Sequence, residues 1–319
     1  MKSKRNIILK ATISVCLIVF ILLKIDLKNL SQVLFSVKWF LFLLSFLLLL
    51  FQQVVIAYSW NLVLKAQGNH ISFDKIIQIH FIGNFLGTFL PSSIGMDVIR
   101  AYSLSKHVPK GKGVDAASSM FILRMIGFLM LFALALVISL SMYDFFKDKS
   151  IIWTVGGMFL SFVLGIGIMV NSQTKKIIEK ILDILRAKAI KDKLHRFYHA
   201  VMDAAVYRKV MFRIIMLSLF TQIIGIIIFY TAGLSLNISV PIIYYFLYIP
   251  VIQVIVLLPI SIAGIGVREG AFVYFFTQLG VSRTQAFSLS LVVFSLSLCL
   301  AFIGGIIYWC SGILIPREK

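Results

Sequence analysis

Residues 90–102 read "LPSSIGMDVIRAY", and residues 258–270 read "LPISIAGIGVREG". Both stretches interrupt a very apolar chain with proline, glycine, an acid and an arginine in close succession. An offset of 168 residues lays Leu90, Pro91, Ser93, Ile94 and Arg100 on Leu258, Pro259, Ser261, Ile262 and Arg268, five identities in eleven positions. The same offset carries the apolar run before the first stretch, 38–64, onto 206–232, and the run after it, 115–142, onto 283–310. The repeating unit is therefore a span, a broken hairpin and a second span. Chance similarity between two low-complexity apolar regions is the alternative to duplication.

The surrounding composition says where such a unit lives. The chain has 319 residues, is 60% hydrophobic and has a mean hydropathy of +1.00. Soluble globular chains are about 45–50% apolar, so the solvent for this surface is a bilayer. Runs such as "FLFLLSFLLLLFQQVVIAYSW" (40–60) reach the length of about 20 apolar residues that a span requires. The net charge of +19 would point to nucleic acid in a soluble protein. Here the basic residues mostly lie between spans, where the positive-inside rule and anionic headgroups account for them, and no nucleic-acid partner is expected. Cys16, Cys299 and Cys310 lie in apolar runs without metal spacing and read as small buried side chains.

Six spans are predicted, at 7–24, 38–64, 115–142, 151–171, 211–233 and 286–314. The first resembles a signal peptide, but its apolar stretch is long and no clear cleavage site follows, so it reads as a retained span. Lys2, Lys4 and Arg5 hold the N-terminus inside, and 172–210, with ten lysines and arginines, also falls inside. The last span returns the C-terminal "PREK" (316–319) to the inside as well. Lys28, Lys38, Lys147 and Lys149 fall outside against the rule. Segments 74–112 and 242–281 read as re-entrant hairpins, entering from opposite sides. The predicted fold is an all-α polytopic membrane protein with about six transmembrane helices plus two re-entrant hairpins in an inverted repeat. Its units are about 38–142 and 206–310 within one integral membrane domain, 1–319. Inverted repeats with interrupted helices recur in transporters, with the site near the bilayer midplane.

The interruptions have chemical consequences. Backbone freed by Pro91, Pro259, Gly264 and Gly266 cannot face lipid, because unpaired amides there cost several kcal/mol each. It must line a protein-walled or wet cavity. Helix N-termini at such a break suit an anionic headgroup, and Arg100 and Arg268 add full charges that can grip a phosphate. Asp97 and Arg100 are three apart on one helical face and can pair. Arg268 and Glu269 are adjacent and are expected to point apart, leaving Glu269 to a partner from elsewhere. Arg124, well inside a span, is a third buried cation. The competing reading makes these residues ion pairs that only hold the hairpins. A proton-coupled role for Glu269 or Asp97 stays open.

At "NFLGTFLPSSIGMDVIRAYSL" (84–104) and "LPISIAGIGVREGAF" (258–272) the chain resembles the lysylphosphatidylglycerol synthase transmembrane-region family, also called the flippase-like domain family. That family includes the membrane half of the bacterial multiple peptide resistance factor. The resemblance spans nearly the whole chain. It carries the first motif onto Asn84, Leu90, Pro91, Gly95, Asp97 and Arg100, and the second onto Pro259, Gly264, Gly266, Arg268 and Glu269. The family's Gly-Gly-Asp is Gly-Met-Asp here, with Met96 the departure. What the resemblance implies is translocation of an aminoacylated phosphatidylglycerol-like lipid or a lipid-linked sugar. No soluble aminoacyl-transfer domain is expected in this chain, so lysyl transfer is not implied.

His195, His199 and Asp203 share one helical face, as zinc ligands can. The segment 174–206 is amphipathic, however, and reads as a helix on the anionic inner leaflet, with no ligand required. "HVPKGKG" (107–113) lacks the Walker spacing, and no catalytic constellation is seen. The expected protein is thus a lipid translocase of a bacterial or archaeal cytoplasmic membrane, with both termini cytoplasmic and no cofactor. Its candidate translocation residues are Asn84, Pro91, Ser93, Gly95, Asp97, Arg100, Arg124, Pro259, Ser261, Gly264, Gly266, Arg268 and Glu269. A membrane transferase acting on a lipid, or a scaffold for a glycosyltransferase or aminoacyltransferase, are the rivals.

Overall fold

Long apolar runs form helices in a bilayer because only a helix satisfies every backbone amide within its own segment. A computed structural model of the chain describes residues 27–88, 94–108, 113–143, 149–171, 173–174, 180, 208–257, 261 and 264–311. Ten helices occur among these residues: α1 (Leu27–Phe35), α2 (Trp39–Ala66), α3 (Phe73–Thr88), α4 (Ile94–Ser105), α5 (Gly113–Ser141), α6 (Ser150–Val170), α7 (Arg208–Ser235), α8 (Ile242–Leu257), α9 (Val267–Thr277) and α10 (Arg283–Ser311). No strand occurs among the described residues. Four stretches, Trp39–Ala66, Ala117–Ser141, Arg208–Ser235 and Arg283–Ser311, are long and apolar enough to cross a membrane. The chain is an all-helical, polytopic membrane protein.

The predicted spans at 38–64, 115–142, 151–171, 211–233 and 286–314 correspond to α2, α5, α6, α7 and α10, each shifted by three residues or fewer at its start. The predicted span 7–24, Pro91, Ser93, Pro259, and His195, His199 and Asp203 lie outside the described residues, as does most of the basic segment 172–210. As described, α3 extends to Thr88 and α8 to Leu257, and in the sequence Pro91 and Pro259 follow shortly after. A residue preceding proline is pushed out of the helical region, and proline offers no amide to continue the ladder.

Among the described residues the same order of helices occurs twice, α2, α3, α4 and α5 early in the chain and α7, α8, α9 and α10 late in it.

The chain divides into two compact units. The first comprises Met1–Gln53, Phe81–Ile99 and Ile223–Lys319. In it, α2 and α7 are joined by a buried hydroxyl pair, Ser45 and Thr231, at 2.7 Å. Such polar contacts typically contribute about 0.6 kcal/mol between membrane helices. α7, α8 and α9 share an aromatic core. Tyr245 meets Phe276 with ring centroids 5.1 Å apart and Tyr230 at 5.5 Å, and Phe272 stacks on Phe276 at 5.6 Å. The short helix α1, absent from the sequence reading, sets Leu30 against Phe287, on which Val273 and Leu291 also pack.

The second unit comprises Val54–His80 and Arg100–Gln222. Its apolar centre is Val63, Ile122 and Ile214, all buried. Trp60 donates its indole N–H to Ser119 at 2.9 Å, and Gln67 donates to Ser118 at 2.8 Å, joining α2 to α5. Phe162 of α6 meets Phe128 and Phe132 of α5 edge-on.

Candidate functional site

The second interruption is built around two glycines in the left-handed region, Gly264 at φ +74° and Gly266 at φ +84°. A side chain is disfavoured there by its own backbone. At Gly264 there is a second obstacle: an added Cβ would lie 2.7 Å from Cγ1 of Val256. The turn delivers the Gly264 carbonyl to the Arg268 amide at 2.8 Å, which opens the hydrogen-bond ladder of α9. Gly264→Ala is therefore expected to lower stability by about 2 kcal/mol, combining backbone strain with the contact on Val256. A detergent melting curve compared with wild type checks this.

The turn also assembles a charge pair. Glu269 is the third residue of α9, and its Oε2 accepts the Gly266 amide at 2.5 Å, the half of a capping box that a glycine N-cap allows. Its Oε1 accepts from Nη2 of Arg268 at 2.5 Å and from Nε at 3.1 Å. The expectation that adjacent Arg268 and Glu269 point apart is thus corrected. That expectation holds for a helix interior, but in a first turn the carboxylate folds back to cap the amide, and the long arginine side chain reaches it there. Ser290 of α10 completes the group, accepting from Arg268 Nε at 3.2 Å and donating to Glu269 Oε1 at 3.3 Å. The Arg268 guanidinium carbon lies 4.5 Å from the Phe294 ring centroid, close enough for cation–π attraction.

The pair is buried but not sealed: the side chains of Arg268 and Glu269 are 13% and 3% exposed. Among the described residues, nothing accepts a hydrogen bond from Nη1 of Arg268. Ser261, in the same interruption, is 2% exposed, and its hydroxyl has no partner among the described residues. A guanidinium fixed on one edge and open on the other can receive an anionic oxygen.

The first interruption differs in detail. Asp97 lies in the first turn of α4 and is half-buried, as is Gly95. Asn84 of α3 donates to the side chain of Gln53 at 3.3 Å. The departure at Met96 has a local explanation: a Cβ added at Gly87 would run into the Met96 side chain, so glycine on α3 leaves the room that methionine on α4 takes. In the second unit, Arg100 donates from Nε to the His80 carbonyl at 3.4 Å, and Arg124 lies 5.9 Å from the Phe128 ring centroid. The structure thus gathers Gly266, Arg268 and Glu269 into one bonded group, with Gly264 forming its turn.

Sequence reasoning missed Ser290, Phe294, Gln53 and His80. Only Gln53 carried a usable signal, as one of two consecutive glutamines midway along an apolar span.

An all-helical membrane protein whose broken helix presents a buried arginine–carboxylate pair is the class that fold and site define. The chain belongs to the lysylphosphatidylglycerol synthase TM region family, whose model matches residues 7–305. That membership relates it to lipid modification or transport in the membrane. Comparison with curated proteins and with solved structures returned no match.

Proposed function

We propose that this protein carries an anionic lipid headgroup across the cytoplasmic membrane, a phosphatidylglycerol-type lipid or a lipid-linked sugar, while the acyl tails stay in the bilayer. The observation that carries the reading is Arg268: part-buried, held on one edge by Glu269 and Ser290, and open at Nη1. A phosphate is the anion a lipid headgroup supplies, and arginine's fork matches its oxygens. Family membership independently relates the chain to lipid chemistry. The matched order of helices, α2 to α5 and α7 to α10, supports reading 38–142 and 206–310 as duplicated units. In our proposal these face opposite ways and alternate access, with Arg100 in the first copy as counterpart of Arg268. Both termini face the cytoplasm, as does the basic segment 172–210, which rests on anionic lipid and offers a place for a partner glycosyltransferase or aminoacyltransferase.

The test is leaflet exchange in proteoliposomes holding the purified chain. Labelled phosphatidylglycerol, aminoacylated phosphatidylglycerol and a polyprenyl-phosphate sugar are supplied separately. Accelerated exchange of one class is expected. Folded protein that accelerates none of them overturns the reading.

A further inference from the structure

Arg268 does not wait for an anion as a bare cation. Its charge is already matched by Glu269, whose two carboxylate oxygens accept the Gly266 amide, Arg268 Nε and Nη2, and the Ser290 hydroxyl. The pair is electrically neutral and Glu269 is only 2% exposed. A phosphodiester that takes the guanidinium brings a second negative charge to a place with one positive charge. An uncompensated charge in such surroundings costs several kcal/mol.

Among the described residues of this unit, no second cation bonds the pair. Among the helices packed against α9, the other charged residues of this unit are Arg283, exposed at the start of α10, and Lys28 of α1. Tyr230, Tyr244, Tyr245 and Tyr248 are the titratable groups of α7 and α8 in this unit, Tyr308, Cys299 and Cys310 those remaining on α10, and Tyr274 that of α9 itself. None of them bonds the carboxylate, whose partners among the described residues are Gly266, Arg268 and Ser290.

We infer that headgroup binding at Arg268 takes up one proton on Glu269, so that the protein is a proton–lipid symporter. This rests on the reading that Arg268 receives the headgroup. In the step, Nη1–H of Arg268 takes a phosphate oxygen while Nε and Nη2 stay beside Glu269, and Oε1 gains a proton from a bulk hydronium ion, whose O–H bond breaks to leave water. One O–H bond is made, and the site again has no net charge. The protonated carboxyl keeps Oε2 on the Gly266 amide, so α9 keeps its cap. Release of the headgroup reverses each exchange and returns the proton on the side where the lipid leaves.

The test uses the full chain in detergent and dioctanoyl-phosphatidylglycerol as probe. Binding heats are measured near neutral pH in two buffers of different ionisation enthalpy. Wild type is expected to take up about one proton per lipid bound, and its affinity to rise about tenfold for each unit of falling pH over the range where that uptake is complete. Glu269→Gln keeps an oxygen for the Gly266 amide and therefore its fold, which a melting curve verifies, and it is expected to show no uptake. Binding without proton uptake in wild type overturns the inference while leaving the headgroup site standing, as does equal uptake by the glutamine variant. Absence of lipid binding by folded wild type overturns the headgroup site itself, and the inference with it.

Discussion

In detergent, Gly304→Ala is expected to unfold well below wild type, with the protein recovered in folded form sharply reduced. A Cβ at Gly304 would strike the carbonyl oxygen of Phe81 and come within 3.0 Å of Phe85 Cβ. The obstacle is backbone, so no side-chain rotation relieves it. α3 and α10 would have to separate, breaking the neighbouring contact of Phe85 with Tyr308, whose ring centroids lie 6.0 Å apart. Overpacking of this kind costs about 3 kcal/mol. It matters more in lipid, where helices associate by close packing without a hydrophobic drive between them. Gly305→Ala is the control. Its Cβ would meet only the Phe85 ring, at 3.1 Å, and a ring can shift, so a loss of about 1 kcal/mol or less is expected. Chemical denaturation of both variants in the same detergent separates the two. Equal stabilities would mean that α3 does not lie in this groove.

Those glycines illustrate what a sequence discloses in an apolar chain. Span positions were legible because length and hydropathy alone decide them, as with Trp39–Ala66. The turn at Gly264 and Gly266 was legible because glycines set close together in an apolar run mark a break in the helical ladder. The Gly304–Gly305 pair was visible as letters, but its meaning depends on a helix more than two hundred residues earlier in the chain. Ser290 was hidden for a different reason. It is one of four serines in "SLSLVVFSLS" (288–297), and any of them can satisfy itself on its own helix, as Ser288, Ser295 and Ser297 do by bonding carbonyls four residues back. Only packing reveals which one faces α9. The Arg268–Glu269 contact was misjudged because helix-face spacing rules describe interior turns, whereas a capping carboxylate turns back along the chain. α1 was missed because its nine residues are too few for an apolar run to register.

Arg268→Ala is expected to lower headgroup exchange roughly 30- to 100-fold, the loss of a charge-assisted contact of about 2–3 kcal/mol. Taken alone, that result is ambiguous. Removing the guanidinium leaves Glu269 buried and uncompensated, and breaking a buried pair from one side destabilises by about 3–5 kcal/mol. An inactive variant could then simply be a poorly folded one. The double variant Arg268→Ala with Glu269→Gln resolves this. It removes both charges together, and the glutamine oxygen still caps the Gly266 amide in place of Glu269 Oε2, which accepts it at 2.5 Å in wild type. Melting in detergent is expected to return most of the way to wild type. Exchange in proteoliposomes is not, because no group in the interruption replaces the guanidinium. Arg268→Lys gives an intermediate case: its ammonium can pair with Glu269 but cannot hold one edge there and offer another to a phosphate, so exchange about tenfold below wild type is expected. If the pair were only a clamp holding the hairpin, exchange would follow stability across all three variants, and the double variant would recover both. The headgroup reading requires the two measurements to part in the double variant, with folding restored and transport still lost.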